Sequence, residues 1–95
     1  MNKILLLEDD ANLNETVTEF LTEKGYDVVN VYDGHEAQEK LYESKYDLLL
    51  LDVNTPGMNG FKLLKEAREN EVDAPAIFIT SLDSVEDLEK GFDSG

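Results

Sequence analysis

Four short apolar runs recur along the chain, at residues 4–7, 28–32, 48–51 and 76–79, and an amphipathic segment follows each of them. That alternation constrains the fold more than any other feature. Strands buried on both faces read as continuous apolar runs, and three of these four do so. Between them, Leu13, Val17, Phe20 and Leu21 recur at helical spacing over 13–24, and Gly25 ends that segment. Asp33 and Glu36 bracket a second helix start, with Ala37 and Leu41 turned inward. Residues 61–69 form a third helix with Leu63, Leu64 and Ala67 on its apolar side. Pro75 opens the fourth strand, and Ser84 with Asp87 makes a capping signal for a last helix carrying Val85, Leu88 and Phe92. The order βαβαβαβα predicts an α/β fold, a doubly wound parallel sheet with helices on both faces. The runs begin at 4, 28, 48 and 76. A fifth strand in the same rhythm would begin at about 96 to 104, where the next unit is expected to open.

Composition narrows the function. The 95 residues contain no cysteine and fit one small domain. The apolar run at 4–7 is too short for a signal-peptide core, and no stretch approaches the ~18 apolar residues of a membrane span. A cytoplasmic protein with no membrane contact is expected. The net charge is −14, from 22 acidic and 8 basic side chains. Such a balance repels nucleic acid, whose nonspecific affinity comes from Lys and Arg on phosphates. Any influence on DNA therefore has to be exerted by another domain.

In open parallel sheets, sites form beyond the carboxyl ends of the strands. There the sequence places Glu8, Asp9 and Asp10 after strand 1, Asp33-Gly34 after strand 2, Asp52 after strand 3, and Thr80-Ser81 after strand 4. Each has an ordinary role when taken alone. Asp10 or Asn12 can cap the first helix, Asp52 can turn the chain before Pro56-Gly57, and Thr80 can be a plain strand residue. If strands 1 and 3 are neighbours, however, Glu8, Asp9 and Asp52 converge. Two carboxylates ~5 Å apart repel by roughly 3 kcal/mol at an effective dielectric of about 20. No Lys or Arg lies nearby in the sequence to offset them, so a hard divalent cation fits. Mg2+ takes one or two carboxylates, keeps several waters and accepts a phosphate oxygen. A cation beside a lone carboxylate on a rigid strand points to phosphoryl transfer, with Asp52 as the attacking group, Glu8 and Asp9 at the metal, and the Thr80 hydroxyl near the new phosphoryl oxygens.

At these residues the chain resembles the receiver domains of bacterial two-component response regulators. The stretches that carry the likeness are KILLLEDD (3–10), LLLLDVNTPGMNGFKLLKEAR (48–68) and APAIFITSLD (74–83), with GFDSG at 91–95. The resemblance implies that Asp52 is the phosphoacceptor and Asp9 a direct Mg2+ ligand, and Glu8, Asp9 and Asp52 together are expected to bind Mg2+. It implies that Glu8 acts mainly through metal-bound water, that the Asn54 backbone carbonyl is a further ligand, and that Thr80 is the switch hydroxyl. It implies a sensor histidine kinase as donor and a five-stranded flavodoxin-like sheet in order 2-1-3-4-5. The family's strand 5 lysine, its aromatic switch residue and the fifth helix fall beyond Gly95. The chain thus reads as a receiver incomplete at its C-terminus, with order 2-1-3-4 and a strand 4 edge open to self-association. Three other classes compete. A Mg2+-dependent phosphohydrolase wants an Asp two residues after its nucleophile, where Asn54 stands. A flavin site wants a Ser/Thr/Gly loop after strand 1, where acids stand. A switch-incompetent interaction fragment remains the main alternative. His35 is read as a surface residue and the four tyrosines as core edges.

Overall fold

The structure, a computed structural model, describes residues 2–55 and 57–79. It contains β1 (Lys3–Leu7), α1 (Ala11–Glu23), β2 (Asp27–Val31), α2 (Gly34–Glu43), β3 (Leu48–Asp52), α3 (Gly60–Glu69) and β4 (Ala76–Ile79). All four strands are parallel, in the order β2-β1-β3-β4 that the family resemblance implies. The last helix expected from Ser84 and Asp87 lies outside the described residues. No helix among the described residues is long and apolar enough to cross a membrane.

Side chains alternate across a strand, so each strand feeds two layers. Leu5, Leu7, Val31, Leu49 and Leu51 point to one layer, where they join Ala37 and Leu41 of α2 and Leu63 and Ala67 of α3 in a single buried cluster. Phe61 at the start of α3 meets Phe78 of β4 edge to face, with ring centroids 4.7 Å apart. Ile4 and Leu6 alternate with these residues and are equally buried, on the layer covered by α1, which packs on β2 and β1. Burying a leucine side chain stabilises by about 1.5–3 kcal/mol. The leucines of β1 and β3 therefore make this pair the structural centre of the domain.

Each described helix begins on a side-chain cap. The Oδ1 atoms of Asp10, Asp33 and Asn59 accept from the backbone N–H of Leu13, Glu36 and Lys62, at 3.1, 2.8 and 2.9 Å. Such caps contribute about 1 kcal/mol apiece. Between Asp10 and Asn12, the structure selects Asp10 for α1. The acidic run after β1 is thereby divided, with Asp10 ending the turn and Glu8 and Asp9 left at the strand tip.

The apolar residues Leu13, Val17, Phe20 and Leu21 of α1 do not all face the sheet. Leu13 is 42% exposed and Phe20 58% exposed, and the one fully buried side chain of the helix is Asn14. The helix starts at Ala11, and the face on the sheet is Asn14, Val17, Thr18 and Leu21, rotated by one residue and half polar. A count of apolar residues alone could not find it. Of the tyrosines, Tyr26, Tyr32 and Tyr42 are exposed, and only Tyr46 packs against the core, where burial raises its phenol pKa. The first three stand at the rims of the layers, where the elements end. His35 is exposed, as expected.

Candidate functional site: an acidic cluster at the strand tips

The register of the two central strands builds the site. Leu7 of β1 pairs with Leu51 of β3, so the next residues, Glu8 and Asp52, emerge side by side at the carboxyl edge. Asp52 belongs to β3 itself and is 8% exposed, Glu8 is 4% exposed, and Asp9 is exposed. One carboxylate oxygen from each of the three lies within 4.8 Å of the others. The convergence expected from the sequence is therefore present.

Local hydrogen bonds hold each acid. Glu8 Oε2 accepts from the Asp10 backbone N–H at 2.9 Å, and Asp52 Oδ1 accepts from the Asn54 backbone N–H at 3.0 Å. The loop after β3 is braced in turn. Thr55 is buried and its hydroxyl donates to the Met58 carbonyl at 3.0 Å, while the Met58 side chain seats in the core. Two glycines let this loop close. A Cβ on Gly60 would come within 2.5 Å of the Asp52 carbonyl oxygen, and a Cβ on Gly34 would collide with the Met58 carbonyl. A side chain at Gly60 would have to move the backbone of Asp52, and one at Gly34 the backbone of Met58. The contributions of Thr55, Met58 and Gly34 carry no recognisable signal, because they depend on contacts between separate elements.

The cluster is electrostatically strained as it stands. Burial, together with hydrogen bonding to and repulsion by Asp52, pushes the Glu8 carboxyl up to about 7, against the lowering effect of the Asp10 N–H. Burial and Asp9 also raise Asp52, while the Asn54 N–H and a hydrogen bond from Glu8 pull it back. Below about pH 7 Glu8 therefore retains a proton, directed toward Asp52. A hard cation fits the same position. The donor set is all oxygen, it is compact, and a positive charge would replace the proton that burial retains. Thr80 lies outside the described residues. Asn54 is at the site through its backbone, with its N–H on Asp52.

The response regulator receiver domain family matches residues 4–95 of the chain. The chain is a receiver domain of a two-component response regulator. The receiver is 44% identical over 92 residues to the regulatory protein VanRB of Enterococcus faecalis, covering 97% of this chain and 41% of that protein. It is 42% identical over 95 residues to the transcriptional regulatory protein CiaR of Streptococcus pneumoniae, covering 100% of this chain and 42% of CiaR. It thus spans about two fifths of the length of these relatives. Its fold superposes on the response regulator TrrA of Thermotoga maritima, solved in complex with Mg2+-BeF, with TM-score 0.82 and 35% identity, over 93% of the receiver and 77% of that chain.

The raised Glu8 carboxyl has a consequence for stability. Between its ordinary 4.5 and about 7, the native receiver holds a proton that the unfolded chain releases. The contribution of this carboxyl to stability is therefore full below about 4.5 and falls as pH rises toward 7, by at most about 1.4 kcal/mol per pH unit for one proton. Urea unfolding in a metal chelator should show this decline between pH 5 and 7.5, and Glu8→Gln should flatten it. A wild-type stability that rises across that window would contradict the assignment.

Proposed function

We propose that the receiver accepts a phosphoryl group on Asp52 from a phosphohistidine of a sensor histidine kinase, and relays the change to an output domain outside this chain. The observation that carries the reading is the cluster itself, in which Asp52 ends a buried central strand within 4.8 Å of two further carboxylates. In the transfer, an Asp52 oxygen forms the new O–P bond, the N–P bond of the donor breaks, and the imidazole leaves with the electron pair and takes up a proton. The Asn54 N–H fixes the orientation of the Asp52 carboxylate for in-line attack. Glu8, Asp9 and Asp52 would hold Mg2+, with the Asn54 carbonyl as a further ligand, and the resemblance gives Thr80 as the switch hydroxyl. When bound, Mg2+ supplies positive charge to the phosphoryl oxygens. Its binding requires Glu8 to give up its proton, so affinity rises with pH through about 7. This chemistry modifies the protein once per cycle and is not that of a turnover enzyme. The strong negative charge leaves DNA contact to another domain, and the cytoplasm supplies both donor and cation.

Incubation with Mg2+ and a small acyl phosphate should place a single phosphoryl group on Asp52. Borohydride trapping and mass spectrometry locate it, and Asp52→Asn should abolish it. Label on another carboxylate would overturn the assignment.

A second reading concerns assembly. Among the described residues β4 pairs with β3 alone, and Ile77 on that strand is 55% exposed. An apolar strand edge without charged residues is a template for pairing with another chain. We infer that two copies of this chain associate through β4. Sedimentation at micromolar concentration should show a dimer that Ile77→Lys converts to monomer, and a wild-type monomer throughout that range would refute the association.

A further inference from the structure

Asn14 is a polar residue at a position where an amphipathic helix is expected to place an apolar one, and it is completely buried. Its environment gives it four partners. The Nδ2 atom donates to the Glu8 carbonyl at 2.9 Å and to the Val31 carbonyl at 3.0 Å. The Oδ1 atom accepts from Asn30 Nδ2 at 2.7 Å and from the Thr18 hydroxyl at 3.4 Å. The amide orientation follows from the chemistry, since two carbonyl oxygens demand the NH2 group. Val31 also accepts from the Glu8 backbone N–H at 3.1 Å. The backbone of Glu8 is therefore held on both sides, its N–H by Val31 and its carbonyl by Asn14. That carbonyl belongs to the peptide joining Glu8 to Asp9, the two acids that face Asp52.

We propose that Asn14 is a positioning residue for the cation site, fixing the Glu8–Asp9 peptide so that both carboxylates meet Asp52. The proposal rests on the reading of that cluster as a Mg2+ site. A leucine at 14 would fill nearly the same volume and satisfy the hydrophobic layer, but would leave two carbonyls without the amide and free the peptide to rotate. The polar network is built into three elements at once, because Asn30 lies on β2 opposite Leu6 and Thr18 lies one turn further along α1. Groups that orient ligands in this way commonly change metal affinity by 10–100-fold when removed.

The test is a Mg2+ titration of the full chain, followed by amide NMR shifts of residues 8–10 and 52–54, on the wild type, Asn14→Leu, Asn30→Ala, Leu41→Ala and Asp9→Ala. Asn14→Leu should weaken Mg2+ about tenfold. Asn30→Ala, which removes a donor to the Asn14 amide oxygen, should weaken it measurably as well. Leu41→Ala, a core truncation on α2, should lower the melting temperature and leave affinity within about twofold, which separates positioning from general loosening. If Asn14→Leu fails to fold, the Asn30→Ala result decides, and unchanged affinity there overturns the proposal. Unchanged affinity in a folded Asn14→Leu overturns it too, as does an equal loss in Leu41→Ala. The site reading fails separately, if the wild type shows no Mg2+ response at these residues or Asp9→Ala responds as the wild type does.

Discussion

The in-register pairing of β1 with β3 is the constraint on which the rest depends. Leu5 opposite Leu49 and Leu7 opposite Leu51 lock the two strands in the middle of the sheet. A slip of one residue would turn every one of these leucines to the other layer. It would also separate Glu8 from Asp52. The same burial that stabilises the fold thus sets the geometry of the carboxylates, and no flexible loop intervenes between the core and Asp52.

That arrangement has an electrostatic cost. Two buried acids and an exposed one meet at a strand edge, and below about pH 7 a proton on Glu8 relieves the repulsion. The proton and a cation then compete for one place. The site is held ready for positive charge by structure that cannot relax: the Asn54 N–H on Asp52, the Asp10 N–H on Glu8, and Gly60 pressed against the Asp52 carbonyl. Phosphoryl transfer benefits from such rigidity, because catalysis there consists largely of positioning and charge.

The strand order followed from the family resemblance, whereas three of the acids at the tips were legible in the residues themselves. Continuous apolar runs such as residues 48–51 carry strand identity and burial together, and an acid placed directly after such a run marks the strand end. The cap at Asp33 could be read from residue type and spacing, and that of α1 only as Asp10 or Asn12. The inner face of α1 could not, because it carries the polar side chains of Asn14 and Thr18. Their burial is offset by hydrogen bonds to β1 and β2, and such pairing is invisible until the strands are placed side by side. Likewise Met58 reads as a loop residue, and only the closure of the loop over α2 shows it in the core.

The central claim is that burial and mutual repulsion hold a proton in the cluster until a cation replaces it. The most direct measurement is the 13C NMR shift of the Glu8 side-chain carboxyl, followed against pH without metal and again in saturating Mg2+. The account requires a midpoint near 7 without metal and a clear fall when Mg2+ is present. A midpoint near 4.5 in both conditions would contradict it.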